Sequence, residues 1–369
     1  MSLTPRPRHH TPQSREQNGP VLTRRQALRG AGAAAVGFAI APGLLEALTG
    51  MGKAAASSLA PKALTDVSLQ LNYLPNVQFA ATLMALHNGY YADQGLSVHV
   101  IPGGPNVAPE PIVVSGKALV GVTHTQEGAQ AIANGAPLKV IGAAFQKSPT
   151  CLVSRADKPI KTPQEMIGKV IGVSDTNLPI WNAFLKVNKI TPGEVKVNTV
   201  EFSTQPLADG QIDGLIGFYT NEPIILDLQG VPTYAFLLAD YGYPIVDDIY
   251  IARSDSLTDP KKLKQVAGIM MGEAQGWRAA FADPSLAANL AVNVYGKGLH
   301  FVYKQQLESV QKEAVLVTSA STAAHGLLWM DSATVDETIR SLELGGTKAS
   351  ASVFTNEVLT EVYHSGIIS

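Results

Sequence analysis

Residues 66–100 read DVSLQLNYLPNVQFAATLMALHNGYYADQGLSVHV, and this stretch decides the fold class. Val67, Leu69 and Leu71 alternate with Ser68, Gln70 and Asn72, the period of two that a half-buried strand shows. From Phe79 the apolar residues recur at helical spacing, with Gly89 and Gly95 as C-terminal stop signals. LSVHVIPGG then reads as a second strand. A strand, a helix and a strand over so few residues predict a parallel α/β unit.

The same alternation continues outward. APEPIVVSGKALVGVTH reads as a helix and a strand at 119–122, TQEGAQAIANGAP as a helix ending at Gly135, and LKVIGAAFQ and TCLVSR as further strands. The pattern restarts at KTPQEMIGKVIGVSDTN, and YIARSD reads as a return strand. From Asp259 onward the chain reads as helical. The expectation is a two-lobed α/β protein with a mainly parallel, helix-flanked sheet in each lobe and helices at the C-terminus. Residues 66–154 with 249–369 are expected to form lobe 1, and 155–248 lobe 2. Open α/β sheets bind ligands at the carboxyl ends of their strands. Polar or aromatic clusters follow several strands here, at 72–76, 124–126, 146–150, 174–177 and 219–222, which points to a cleft between lobes.

The N-terminus reads as an export signal. TRRQALRG carries Arg24–Arg25, a short apolar run interrupted by Pro42 and Glu46 follows, and Ala54 and Ala56 supply an A-x-A site. The arginine pair makes residues 1–56 a twin-arginine signal, a receptor-read address rather than an anchor. A periplasmic, or otherwise extracytoplasmic, location is expected. Of the 28 Lys and Arg and 30 Asp and Glu in the chain, seven basic but only two acidic residues fall in this segment, so the remainder carries 21 basic against 28 acidic residues. That balance disfavours nucleic acid as a partner.

Chemistry-bearing motifs are missing. No G-x-S-x-G, P-loop, G-x-G-x-x-G or H-E-x-x-H occurs, and His87, His99, His124, His300, His325 and His364 are scattered. Cys151, the single cysteine, lies in the β-like run TCLVS, where a buried thiol is expected. These features favour a binding protein over an enzyme, with no cofactor and no metal.

The opening stretch resembles the start of ABC-transporter solute-binding proteins of the thiamine-precursor branch, within the nitrate/sulfonate/taurine-binding superfamily. VVSGKALVGVTH, ANGAPLKVIGAAFQ, KTPQEMIGKVIGV, GFYTNEPIILDLQGV and ADYGYPIVDDIYIAR resemble that family's motifs in order, as do QGWRAAFADP, WMD and FTNEVL near the end. The resemblance implies a type II periplasmic-binding fold, hinged closure, and delivery of a small molecule to a membrane permease driven by an ATPase. A monomer is expected. It also implies a flat nitrogen heterocycle as guest, aminopyrimidine thiamine precursors first. Riboflavin, an alkanesulfonate, taurine or nitrate are the alternatives on the same fold, with a pyrimidine-synthesis enzyme or a periplasmic sensor further off.

In the resemblance, Tyr219, Asn221 and Glu222 line the cleft. Tyr219, Tyr241 and Tyr243 offer faces for stacking, and Glu222 an acceptor for an exocyclic amine. Glu222 also reads as a cap for the helix after Pro223. Asn76 reads as a turn cap or a ligand contact, Trp181 as a stacking partner or a core residue. Phe79, Thr125 and Gln146 complete the expected contacts.

Overall fold

The alternation at Val67 and Leu69 becomes strand β1 (Thr65–Gln70), in a computed structural model that describes residues 63–105, 107–201 and 203–364. The expected export signal at 1–56 lies outside the described residues. Helix α1 (Ala80–Asn88) ends at Gly89, whose φ of +80° is the left-handed C-terminal conformation glycine adopts without strain. β2 (Leu96–Ile101) then pairs in parallel with β1, Val67 opposite Val98 and Leu69 opposite Val100. Helix α2 (Pro109–Val114) and β3 (Val120–Thr123) follow, then helix α3 (Thr125–Ala133) and β4 (Leu138–Phe145).

The chain then leaves this sheet. β5 (Thr150–Arg155), β6 (Val170–Val173), β7 (Lys196–Thr199), β8 (Gly214–Phe218) and β9 (Thr233–Leu237) form a second sheet in the order β7-β6-β8-β5-β9. Helix α4 (Leu178–Val187) joins β6 to β7, and α5 (Glu222–Leu228) joins β8 to β9. β10 (Asp247–Arg253) returns and inserts antiparallel between β3 and β4, giving the first sheet the order β2-β1-β3-β10-β4. The expected limit of lobe 1 at residue 154 is therefore corrected. β5 is hydrogen-bonded between β8 and β9, with Cys151 opposite Gly217 and Leu237. The outer edge of β4 is met instead by Phe354, through a bridge to Val140. The chain thus crosses between sheets at 146–149 and again at 244–246.

Each sheet has its own core. Leu69, Leu83, Met270 and Trp277 belong to one; Trp181, Phe184, Phe236 and Tyr243 to the other. Helices α6 (Pro260–Ala282), α7 (Tyr303–Val317), α8 (Ser332–Leu344) and α9 (Glu357–His364) are the longer helices of the described C-terminal part. Two of them reach across. Gln305 on α7 donates to Asn221 Oδ1 at 2.8 Å, Ser341 on α8 donates to the Pro244 carbonyl at 2.6 Å, and Leu342 enters the second core. Among the described residues, no helix is long and apolar enough to cross a membrane.

Helix α6 packs against α1 at backbone distance. A Cβ on Gly276 would lie 2.0 Å from the Ala81 carbonyl oxygen. Backbone cannot swing aside as a side chain can, so Gly276→Ala is expected to cost about 1–3 kcal/mol of stability, read by urea unfolding. An unchanged midpoint would show that the two helices are not in such contact. The same face of α6 carries Glu273, buried and accepting hydrogen bonds from Thr82 Oγ1 (2.8 Å), Tyr250 Oη (2.8 Å) and Tyr91 Oη. Burial raises its pKa, and the three hydroxyl donors counter that.

Candidate functional site

The carboxyl ends of strands from both sheets face a shared cleft of about 410 Å³. Each of the five polar clusters contributes to its lining: Asn72 and Tyr73; His124, Thr125 and Gln126; Ser148 and Thr150; Ser174, Thr176 and Asn177; and Glu222. Strand β8 adds Phe218. Tyr73, His124 and Phe218 are its ring-bearing residues, and the His124 and Phe218 rings meet edge to face with centroids 5.6 Å apart.

The lining is acidic. Glu110, Glu127, Glu201, Glu222 and Asp247 all border the cleft, and among its described residues none is Lys or Arg. Glu222 opens α5, and its carboxylate is aimed by its own neighbours: Oε2 accepts from the Phe218 N–H at 2.6 Å and Oε1 from Asn221 Nδ2 at 3.0 Å. Burial raises the pKa of Glu222, against the lowering effect of those donors. Across the cleft, the Tyr73 hydroxyl is pushed up by burial and then by the Glu222 charge, so the two side chains feel each other from opposite lobes.

A second charged group occupies the place where the chain returns to the first sheet. Asp247 accepts from the Thr125 N–H (3.2 Å) and from Ser148 Oγ (3.0 Å), tying the return crossing to the outgoing one and to the start of α3. Thr125 Oγ1 also donates to the Val246 carbonyl at 2.7 Å. Asp248, at a φ of +45°, accepts from Asn72 Nδ2 (2.9 Å) and Gln78 Nε2 (2.8 Å). His124 Nδ1 lies 3.3 Å from Asp247 and 3.5 Å from Asp248. Burial alone would lower the imidazole pKa, but Asp247, Asp248 and Glu127 raise it to about 10. Burial pushes Asp247 up, but the adjacent His124, together with the Asp248 and Thr125 N–H groups, leaves its pKa below the usual carboxylate value.

The model of one family, described as NMT1/THI5 like, matches residues 76–287, more than half of the chain. The chain belongs to the NMT1/THI5-like family. Its relatives include the riboflavin-binding protein RibY of Chloroflexus aurantiacus, 22% identical over 82% of this chain and 89% of that one. Another is a formylaminopyrimidine-binding protein of Halalkalibacterium halodurans, 22% identical over 62% of this chain and 70% of the relative. Among solved structures, the sulfonate-binding protein SsuA of Methylobacillus flagellatus superposes with a TM-score of 0.61 at 14% identity, covering 82% of this chain and 95% of that one. The NMT1/THI5-like chain thus has the periplasmic-binding-protein fold, two helix-flanked α/β sheets with a cleft between them.

Within this NMT1/THI5-like cleft, Glu222 and Thr125 are lining residues, and the other expected contacts lie elsewhere. Asn76 caps the turn at 77–79, its Oδ1 accepting from the Gln78 N–H at 3.0 Å. Phe79 is buried in the first core, as the last residue of the tight turn 77–79 that leads into α1. Trp181 is 1% exposed in the second core, and Tyr243 is buried beside it. Tyr241 packs edge to face on Phe236 and donates to the Lys161 carbonyl at 2.9 Å. Gln146 donates to the Ala143 carbonyl at 3.1 Å. Asn221 is held between Glu222 and Gln305. Tyr219 turns away toward α7, with Lys312 Nζ 4.7 Å from its ring centre. The aromatic walls come from Tyr73 and Phe218 instead. The shift from Tyr219 to Phe218 is one residue at a strand end, which moves a side chain to the opposite face of the sheet. His124 is legible in the sequence as part of a strand-end cluster, whereas no local signal marks Asp247.

Proposed function

We propose that this NMT1/THI5-like protein binds a flat nitrogen heterocycle between its lobes, without transforming it, and delivers it to an ABC permease. Aminopyrimidine thiamine precursors are the leading guests. The observation that carries the reading is the charge of the cleft: carboxylates from both lobes, ring-bearing side chains, and no Lys or Arg among its described residues. An amine-bearing ring offers donors to the carboxylates and a face to the aromatic side chains. An alkanesulfonate, taurine's sulfonate end or nitrate would meet five carboxyl side chains, with no guanidinium or ammonium among the described lining residues and with the one imidazolium, His124, already engaged by Asp247 and Asp248. The sulfonate-binding fold of SsuA is shared; its ligand chemistry does not fit these side chains. Riboflavin is the second reading, because the RibY relative aligns over most of both chains.

Binding rather than catalysis is supported by Cys151. Its thiol is fully buried in β5, and burial, with Glu222 behind it, holds its pKa well above the usual value, so no thiolate is available. Closure follows from the hinge at the two crossings, with the guest favouring the closed state by its differential affinity. Export, a periplasmic site of action and a monomeric state belong to the same proposal.

A thermal-shift screen of the purified protein against aminopyrimidines, flavins, alkanesulfonates, taurine and nitrate tests the reading. An aminopyrimidine at 100 times its Kd is expected to add about 2.7 kcal/mol of stability. Stabilisation by sulfonates or nitrate, with none by aminopyrimidines or flavins, would overturn it.

A further inference from the structure

His124, Asp247 and Asp248 bring three metal-ligating side chains to one point on the cleft floor. One donor atom from each falls within 4.8 Å of the others. The His124 Nδ1 distances, 3.3 Å to Asp247 Oδ1 and 3.5 Å to Asp248 Oδ1, are long for a protonated imidazole on a carboxylate, which closes to about 2.7–2.9 Å. They match a different geometry. Histidine nitrogen and carboxylate oxygen bind zinc at about 2.0–2.1 Å, and a tetrahedron with such bonds has edges of about 3.3 Å.

A fourth donor stands beside them. Asn72 is 7% exposed and borders the cleft; its Nδ2 donates to Asp248, while its buried Oδ1 has no hydrogen-bond partner. A buried carbonyl oxygen without a partner costs free energy, and a cation shared with the neighbouring carboxylates would satisfy it. The carboxylates are themselves oriented from outside the cluster, Asp247 by Ser148 Oγ and the Thr125 N–H, Asp248 by Gln78 Nε2. Outer hydrogen bonds of this kind hold ligating groups in place.

We propose that His124, Asp247 and Asp248, with the Asn72 oxygen as fourth donor, bind one divalent cation of the zinc class at the cleft floor. One imidazole with two carboxylates suits zinc or manganese. Calcium, which takes six to eight oxygens at about 2.3–2.6 Å, is poorly served by so few donors. The ion would sit between the imidazole nitrogen and the two carboxylates. The neutral imidazole, two carboxylates and the ion sum to zero charge. The site is complete from the protein's own side chains, so metal titration of the guest-free protein reads it separately from binding of the organic guest.

Calorimetric titration of the full chain, stripped with a chelator, tests the assignment. Zinc is expected to bind one per chain with a saturable heat; calcium is expected to give none. His124→Gln and Asp248→Asn are each expected to weaken zinc at least tenfold, with circular dichroism reporting that each variant is folded. Cobalt substitution of the unaltered protein provides an independent measurement: a tetrahedral site gives intense visible d–d absorption that zinc abolishes. No saturable zinc binding, or an isotherm unchanged in both folded variants, or weak octahedral-type cobalt absorption would overturn the proposal.

Discussion

Glu222→Gln is expected to weaken aminopyrimidine binding about 10–150-fold and to leave the melting temperature nearly unchanged. A hydrogen bond to a charged group contributes about 1.5–3 kcal/mol, and every 1.4 kcal/mol is about tenfold in affinity. The Glu222 carboxylate is held by the Phe218 N–H and Asn221 Nδ2, so its direction into the cleft does not depend on the guest. Such preorganisation places the cost of ordering the side chain in folding rather than in binding. The stability side of the prediction follows from the sign of the pKa shift. Burial raises the pKa of Glu222 in the folded protein. A raised carboxyl contributes stability that is present below its unfolded pKa and lost as pH rises through the folded one. At neutral pH the ionised form is therefore a net burden, and glutamine removes it while keeping one acceptor for a backbone or amide donor. Isothermal titration beside a thermal melt separates the two effects. Equal losses of affinity and stability would make Glu222 a helix-terminal brace and remove it from ligand recognition.

Trp181→Ala is expected to lower the unfolding free energy by about 3–5 kcal/mol, the range for emptying a large aromatic site in a packed core. Trp181 is 1% exposed and lies in the second core with Phe184, Phe236 and Leu342. Leu342 comes from α8, in the C-terminal part of the chain, so the cavity would also loosen the contact by which that helix reaches the second lobe. Chemical unfolding reads the loss directly. A stability within about 1 kcal/mol of the parent, together with abolished ligand binding, would instead place the indole against the guest; ordinary surface substitutions stay within about 0.5 kcal/mol.

Much of this molecule can be read from residue order. The alternation at Val67 and Leu69, the glycine stop at Gly89 and the recurrence of apolar runs specify parallel α/β units, because backbone hydrogen bonding and side-chain direction act over a few residues. The polar clusters at strand ends mark the cleft for the same reason. Individual contacts are less legible. Phe218 and Tyr219 are chemically similar neighbours, and the face each presents depends on where β8 ends, a boundary that local preference leaves loose by a residue or two. Tyr243 and Trp181 look like stacking groups in the sequence, and they are filler in a core whose partners are distant in the chain.

The strand plan and the acidic balance of residues 57–369 therefore belong to local sequence and composition. The membership of β5 in the second sheet, the insertion of β10 between β3 and β4, and the junction of His124, Asp247, Asp248 and Asn72 do not. His124 and Asp247 are 123 positions apart, and Asn72 and Asp248 are 176 apart. No periodicity spans such separations. They are closed by strand pairing and by burial of two cores, and the charges meet where the ends of β1 and β3 come beside the start of β10.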